Sequence, residues 1–343
     1  MARNRVLSLL TLLAFVVAAP TLVAQQKDEK KRSKQEQQEI EQIVKLVDGV
    51  MAGQPGPGDV QMEITPYFLK SQEQRTFVPF VLNVKNAPAT DVAMYVRVVN
   101  PSPAAATEGD KDKKKDDEKT EYPWDDIHFV PAAQMSGGNA SLNRVFMATP
   151  GTYDVYIAVK ERLPEKAPKN QAAKVGVTKT QVTVPDFNNG ELATSSVIVA
   201  DKVNMLQAPL DPDEARERPF VFGAQELVPA ADMDFGKSEE LSIFYQVYNS
   251  GLDAEGKPNL IMEYNFHRKE GGEEKFFNKT NPQNINASNL PPQFDPAKFP
   301  VPGGITVPLQ SFGEGEYRLE IKISDKASGK TLTRDVNFSV KAS

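Results

Sequence analysis

Leu260-Ile261-Met262-Glu263-Tyr264-Asn265-Phe266 puts an apolar side chain at every second position, and a strand is the element whose side chains alternate between two faces. The same period runs through Ile305, Val307 and Leu309, through Tyr317, Leu319, Ile321 and Ile323, and through Val336, Phe338 and Val340. Earlier in the chain it governs Val60, Met62 and Ile64, then Val92, Met94, Val96 and Val98, then Tyr153, Val155, Ile157 and Val159. Strands with one apolar face belong to antiparallel sheets, and no helix-length periodic segment separates these. The pattern predicts an all-β fold of two tandem antiparallel immunoglobulin-like β-sandwiches with about seven strands each.

The two halves also resemble each other. Phe80 to Asn86 matches Phe244 to Asn249, and Gly151 to Ile157 matches Gly315 to Ile321; Asn249 − Asn86 is 163 and Gly315 − Gly151 is 164. Tandem duplication is the economical explanation. The turn formers at Pro185-Asp186-Phe187-Asn188-Asn189-Gly190 place the boundary there, with one sandwich over 59–186 and the other over 187–343. Within the first, residues 101–121 carry Asp110-Lys111-Asp112-Lys113-Lys114-Lys115-Asp116-Asp117-Glu118-Lys119, a near-balanced charge run with nothing to bury. That run reads as a solvated loop.

Residues 1–24 have the three parts of an export signal: Arg3 and Arg5, the apolar run Val6 to Ala19, and Ala24 before Gln25. The expectation is an exported protein, periplasmic or extracellular, with no membrane span after cleavage. Residues 25–58 follow as a helix and a Pro/Gly linker. Ile40, Ile43, Val44, Val47, Val50 and Met51 share one helical stripe, and Pro55-Gly56-Pro57-Gly58 ends it. The stripe, with Ile40, Ile43, Val47 and Val50 at its centre, suits either docking onto a partner or packing on the neighbouring sandwich.

Composition narrows the chemistry. The chain has no cysteine, two histidines and a net charge of −6. Losing Arg3 and Arg5 leaves 40 − 2 = 38 basic against 46 acidic side chains, net −8, which opposes nucleic-acid binding. Thiol chemistry and cysteine-ligated metals are excluded. His128 and His267 are 139 positions apart, too few and too scattered to suggest a histidine metal site or triad, and no cofactor is expected. Ala327-Ser328-Gly329-Lys330-Thr331 imitates the end of a phosphate loop, but Ser324 stands where the first glycine is required, so it reads as a hairpin turn. Asp211-Pro212-Asp213-Glu214 with Asp232 and Asp234 lacks the spacing of a calcium loop.

The local candidate for a ligand site is Tyr122-Pro123-Trp124-Asp125-Asp126-Ile127-His128. Trp124, with Tyr122 and Tyr153, can stack on a sugar while Asp125 or Asp126 accepts hydroxyl hydrogen bonds. The other reading has Trp124 anchoring the end of the charged loop. Asp125 and Asp126, as strand neighbours, point to opposite faces and cannot flank one glycosidic bond.

Val182 to Phe187, Ser195 to Ala200, Pro219-Phe220-Val221-Phe222-Gly223 with Leu227-Val228-Pro229, and Gly315 to Ile321 with Ser324 to Lys330 resemble the sandwich regions of exported bacterial proteins that carry a GWxTD domain or a VWFA-related domain. The resemblance covers roughly residues 180–343 and implies an envelope or secreted accessory protein. Neither defining motif is present, Trp124 lying in Pro-Trp-Asp-Asp, so no site is carried over. The expectation is a non-enzymatic scaffold that binds an envelope or secreted protein; the alternative is a carbohydrate-binding module around Trp124.

Overall fold

A computed structural model of the chain describes residues 32–342 apart from 72, 102–121, 136–137, 165–166 and 169–170. The expected export signal and the charge run lie outside the described residues. Helix α1 spans Lys34–Met51. The first sandwich uses β1 (Gln61–Pro66), β2 (Leu69–Lys70), β3 (Thr76–Lys85), β4 (Val92–Val99), β5 (Trp124–Val130), β6 (Asn139–Ala148), β7 (Gly151–Glu161) and β8 (Val175–Val184). The second opens with β9 (Ala193–Thr194), β10 (Ile198–Met205), helix α2 (Pro212–Glu217), β11 (Val221–Phe222), β12 (Gln225–Pro229) and β13 (Asp234–Gly236). It continues with β14 (Glu240–Tyr248), β15 (Leu260–Glu270), β16 (Glu273–Lys279), β17 (Gln283–Ile285), β18 (Val301–Pro308), β19 (Gly315–Asp325) and β20 (Thr331–Lys341).

Four sheets result. The first runs β5-β4-β7-β8, the second β1-β3-β6 with β2 beside β3, the third β11-β12-β10-β14-β18 with β9 beside β14, and the fourth β13-β20-β19-β15-β16 with β17 beside β15. Named strands pair antiparallel except β13 with β20. The expected all-β sandwich architecture is therefore present. The short parallel strand and the small flanking strands raise the count in the second sandwich above the expected seven or so.

The sheets stack face on face. Val78, Phe80, Leu82 and Val84 of β3 meet Val92, Met94, Val96 and Val98 of β4 in the first core. Leu241, Ile243, Tyr245 and Val247 of β14 meet Met262, Tyr264, Leu319 and Ile321 in the second. A third apolar layer joins the sandwiches: Tyr67, Phe77, Val145 and Met147 from one side, Ile198, Phe220, Phe222, Leu227 and Phe244 from the other. Tyr67 meets Phe220 edge-on at 5.3 Å, and Phe222 lies 4.6 Å from Phe244. Backbone bonds reinforce the seam, with Phe68 N–H donating to Ser196 Oγ at 2.9 Å and Lys70 N–H to the Tyr248 hydroxyl at 3.0 Å. Each sandwich also carries a tyrosine that reaches back four residues. Tyr153 donates to the Thr149 carbonyl at 3.0 Å and Tyr317 to the Gly313 carbonyl at 2.8 Å, as in the tyrosine corner of immunoglobulin-like folds.

Helix α1 forms the outermost layer. Ser33 caps it, its side chain accepting from Glu36 N–H while Glu36 accepts from Ser33 N–H. Ile43 and Val47 are fully buried against Ala93, Tyr95, Val99, Tyr156 and Ala158 of the first sheet. All eight residues of β4 are consequently buried; the alternation of Val92, Met94, Val96 and Val98 had indicated one covered face, and the helix covers the other. No helix among the described residues is long and apolar enough to cross a membrane.

Candidate functional site

β5 is the outer strand of the first sheet and pairs with β4, Trp124 opposite Val98, Asp125 opposite Arg97 and Asp126 opposite Val96. Alternation sends Trp124, Asp126, His128 and Val130 into the gap between the first two sheets, where Trp124 and Val130 join the first core. It sends Asp125, Ile127 and Phe129 toward α1; Ile127 and Phe129 pack in the helix layer. The candidate segment is thus split between two faces.

The helix face holds Tyr122 and Asp125. Arg97, 2% exposed, sits with its guanidinium 4.1 Å from the Tyr122 ring centre, donates to the Tyr95 hydroxyl at 2.9 Å and to Asp48 of α1 at 2.5 Å. Asp125 accepts from the Tyr95 hydroxyl at 3.2 Å. A second arginine, Arg162, bonds Glu39 of α1 at 2.7 Å and covers the Phe129 ring at 4.4 Å. The anticipated partner stripe is spent here. Ile43 and Val47 are buried by the chain's own sandwich, and Ile40 and Val50 are half-buried beside them. An apolar stripe cannot be both a core layer and an open docking face, so the packing alternative describes this helix.

The expected aromatic platform does not form. Tyr122 lies over Arg97 on the helix side, Trp124 is half-buried between the first core and the seam, and Tyr153 is 5% exposed with its hydroxyl engaged at Thr149. Trp124 and Tyr153 are taken up by the first core, whereas Tyr122, which precedes β5, lies on the opposite face of the sheet.

The inner face is the chemically unusual one. From β6, Leu142, Phe146 and Ala148 point into the first core, and Arg144, which shares their parity, is 1% exposed. One of its nitrogens donates to the Asn143 carbonyl at 2.7 Å. Its Nε and Nη2 have no partner, nor do Trp124 Nε1 and His128 Nε2, all four atoms being buried. His128 Nε2 lies 3.4 Å from Asp126 Oδ2, out of line for a hydrogen bond. Burial first, then the Arg144 and Arg216 charges, hold the His128 pKa down to about 3. Burial raises the Asp126 pKa against the Ile127 N–H bond that its carboxylate accepts at 2.9 Å. Helix α2 lies against β6, Arg216 acting on His128 and Asp126, and Glu217 on Arg144.

The remaining acids serve the fold. Asp211 caps α2, accepting from Glu214 N–H at 2.8 Å, and Asp234 pairs with Lys341 and Ser339. The Ser328-Gly329-Lys330 segment is the β19–β20 hairpin turn, with Asp325 accepting from Gly251, Ala327 and Ser328 N–H. Among the described residues no three His, Asp or Glu side chains converge as metal ligands. Arg97 and Arg144 were not anticipated as site residues. Their signal was present in the sequence as arginines at strand positions between apolar neighbours, Val96-Arg97-Val98 and Leu142-Asn143-Arg144-Val145-Phe146.

No protein-family model matches the chain, and no curated protein matches it. Among solved structures it is similar to a purple acid phosphatase isolated from yellow lupin (Lupinus luteus) seeds, at 14% identity and a TM-score of 0.21, over 83% of this chain and 41% of that one. It is also similar to an Escherichia coli alpha-2-macroglobulin activated by porcine elastase, at 10% identity and a TM-score of 0.23, over 84% of this chain and 24% of the other. The chain therefore spans less than half the length of either.

Proposed function

We propose that this is an exported, non-enzymatic binding or bracing protein of a bacterial envelope, built by tandem duplication of a sandwich, that engages another protein through a sheet edge. The observation that carries the reading is β16. It ends the fourth sheet, is paired by β15 along one side, and presents Phe276 at 60% exposure directly after Glu273, Glu274 and Lys275. An edge strand offers unpaired backbone donors and acceptors, and charges along it suppress indiscriminate pairing while an aromatic supplies an anchor. The duplication is supported by the tyrosine corners and by Asn86 and Asn249, which end β3 and β14 at φ 57° and 56°.

A photo-reactive residue at position 276, compared with one at 45 on the outer side of α1, tests this in cells that produce the protein. A discrete protein adduct from 276, lost on Asn278→Pro, is expected. Absence of any adduct at 276 sinks the edge reading and leaves the glycan alternative, to be measured as sugar binding by the full chain and its Trp124→Ala variant.

A further inference from the structure

The two sandwiches close the same edge in opposite ways. In the second, β16 faces β18, and the gap is filled by Phe277, Ile305 and Val307 packed on the core, with Phe277 5.0 Å from Phe312 and 5.3 Å from Tyr317. In the first, the corresponding strands are β5 and β6, and the gap holds Trp124, Asp126, His128 and Arg144. Arg144 pairs with Phe80 as Ile305 pairs with Ile243, so the position that carries an isoleucine in one copy carries a guanidinium in the other. Burying that charge is strongly unfavourable unless it is paired and fully hydrogen-bonded.

It is not paired by the chain. Arg144 Nε and Nη2, Trp124 Nε1 and His128 Nε2 are buried and unpartnered, and no carboxylate among the described residues lies within ion-pair distance of Arg144. Glu217 and Asp126 act on it from farther away. Native proteins leave few buried polar atoms unmatched, and a cluster of such atoms indicates a missing water, ion or ligand. Here three of the four are fixed N–H donors: two on one edge of a planar guanidinium and an indole N–H, which has no acceptor capacity. That is the complement of an oxyanion, and a guanidinium edge suits two oxygens of one carboxylate or phosphate.

The geometry points to an oxyanion site between β5 and β6, in which Arg144 Nε and Nη2 and Trp124 Nε1 hold a carboxylate or phosphate group and α2 is the cover. The donors have essentially no solvent-exposed surface, so the ligand enters when α2 moves off β6. That helix is six residues long and held at its start by Asp211, which makes it the least expensive element to displace. Asp126 is the acid on the same face, and the rise in its pKa from burial eases the approach of a second negative group. Arg216 stands on the cover and adds positive charge. The inference is independent of the sheet-edge function, since it uses neither β16 nor a protein partner.

The test is titration of the full chain with sodium phosphate, and separately with sodium acetate and N-acetylglycine, at constant ionic strength. Calorimetry and thermal unfolding give the readout. Saturable one-to-one binding and a rise in melting temperature are expected. Trp124→Phe keeps an aromatic ring but removes the N–H and should weaken binding about tenfold, as loss of one hydrogen bond to a charged group does. Arg144→Lys should weaken it further, and Arg318→Gln, on the fourth sheet, should leave it unchanged. Tighter phosphate binding identifies a phosphoryl ligand, and tighter N-acetylglycine binding a peptide-like carboxylate. The inference is overturned if the folded wild-type chain binds none of the probes at about 20 mM, or if Trp124→Phe and Arg144→Lys, each shown folded by circular dichroism, bind as tightly as wild type.

Discussion

Asp325 is 1% exposed and still a carboxylate, because backbone and side chain donors surround it: Gly251 N–H at 2.6 Å, Ala327 N–H at 3.0 Å and Ser328 through both N–H and Oγ. Burial pushes its pKa up, but the Ser328 and Gly251 bonds outweigh it and hold the group below the ordinary carboxylate range. Asp325→Asn should cost about 2 kcal/mol in urea unfolding at pH 7, since the amide accepts on one oxygen only. His128 works in the opposite sense. With a folded pKa of about 3 against an ordinary 6.5, the unfolded chain takes up a proton that the folded chain refuses as pH falls below 6.5. Stability should therefore decline by about 1.4 kcal/mol per pH unit through that window. Between pH 7 and 5 this is about 2 kcal/mol, and the His128→Gln variant should lose that part of the slope. Gly303 shows how tightly the second core closes. A methyl group there would sit 2.4 Å from the ring of Tyr245, a residue 1% exposed whose hydroxyl lies 2.9 Å from that of Tyr264. Gly303→Ala should lower stability by about 2 kcal/mol or more.

The helix α1 illustrates how an element changes the meaning of its neighbours. Its stripe was legible from the spacing of Ile43 and Val47, and so was the strand from Val92 to Val98; that one covers the other was not. Arg97 lies in β4 among valines, and Asp48 from α1 and Tyr122 from the chain before β5 join the Tyr95 hydroxyl in making its burial tolerable. Ile43→Ala and Val47→Ala should each cost about 2–5 kcal/mol locally. Amide exchange should then quicken across residues 40–50 and in β4 while β19 keeps its protection. Register is a second lesson at this scale. The sequence match set Phe80 against Phe244, yet Phe80 lies in the first core and Phe244 in the seam between sandwiches. The left-handed Asn86 and Asn249 end the two strands 163 positions apart, so Ile243, in the second core, is the counterpart of Phe80. A slip of one residue moves a side chain to the other face of a sheet, and two-sided apolar strands carry too little contrast to reveal it.

Across the whole molecule, the seam makes four sheets and a helix one continuous stack. Phe220 is 1% exposed and Phe244 9%, and both would stand in water if the sandwiches parted. Phe220→Ala combined with Phe244→Ala should remove about 6 kcal/mol or more and uncouple the halves. Calorimetry should then resolve two unfolding transitions, against the single one expected of the wild-type chain.

What the sequence by itself determined is the fold class. Period-two alternation and turn formers are local properties, and each strand writes them without reference to the rest of the chain. It also marked the helix and the β19–β20 turn. The tertiary structure alone decided what covers the second face of β3, β4 and β14, which way Trp124 and Asp125 part from each other, and why Arg144 lies unpaired inside a core. Alternation states which side chains share a face; it does not state which distant element that face meets, and burial, pairing and charge depend on that meeting.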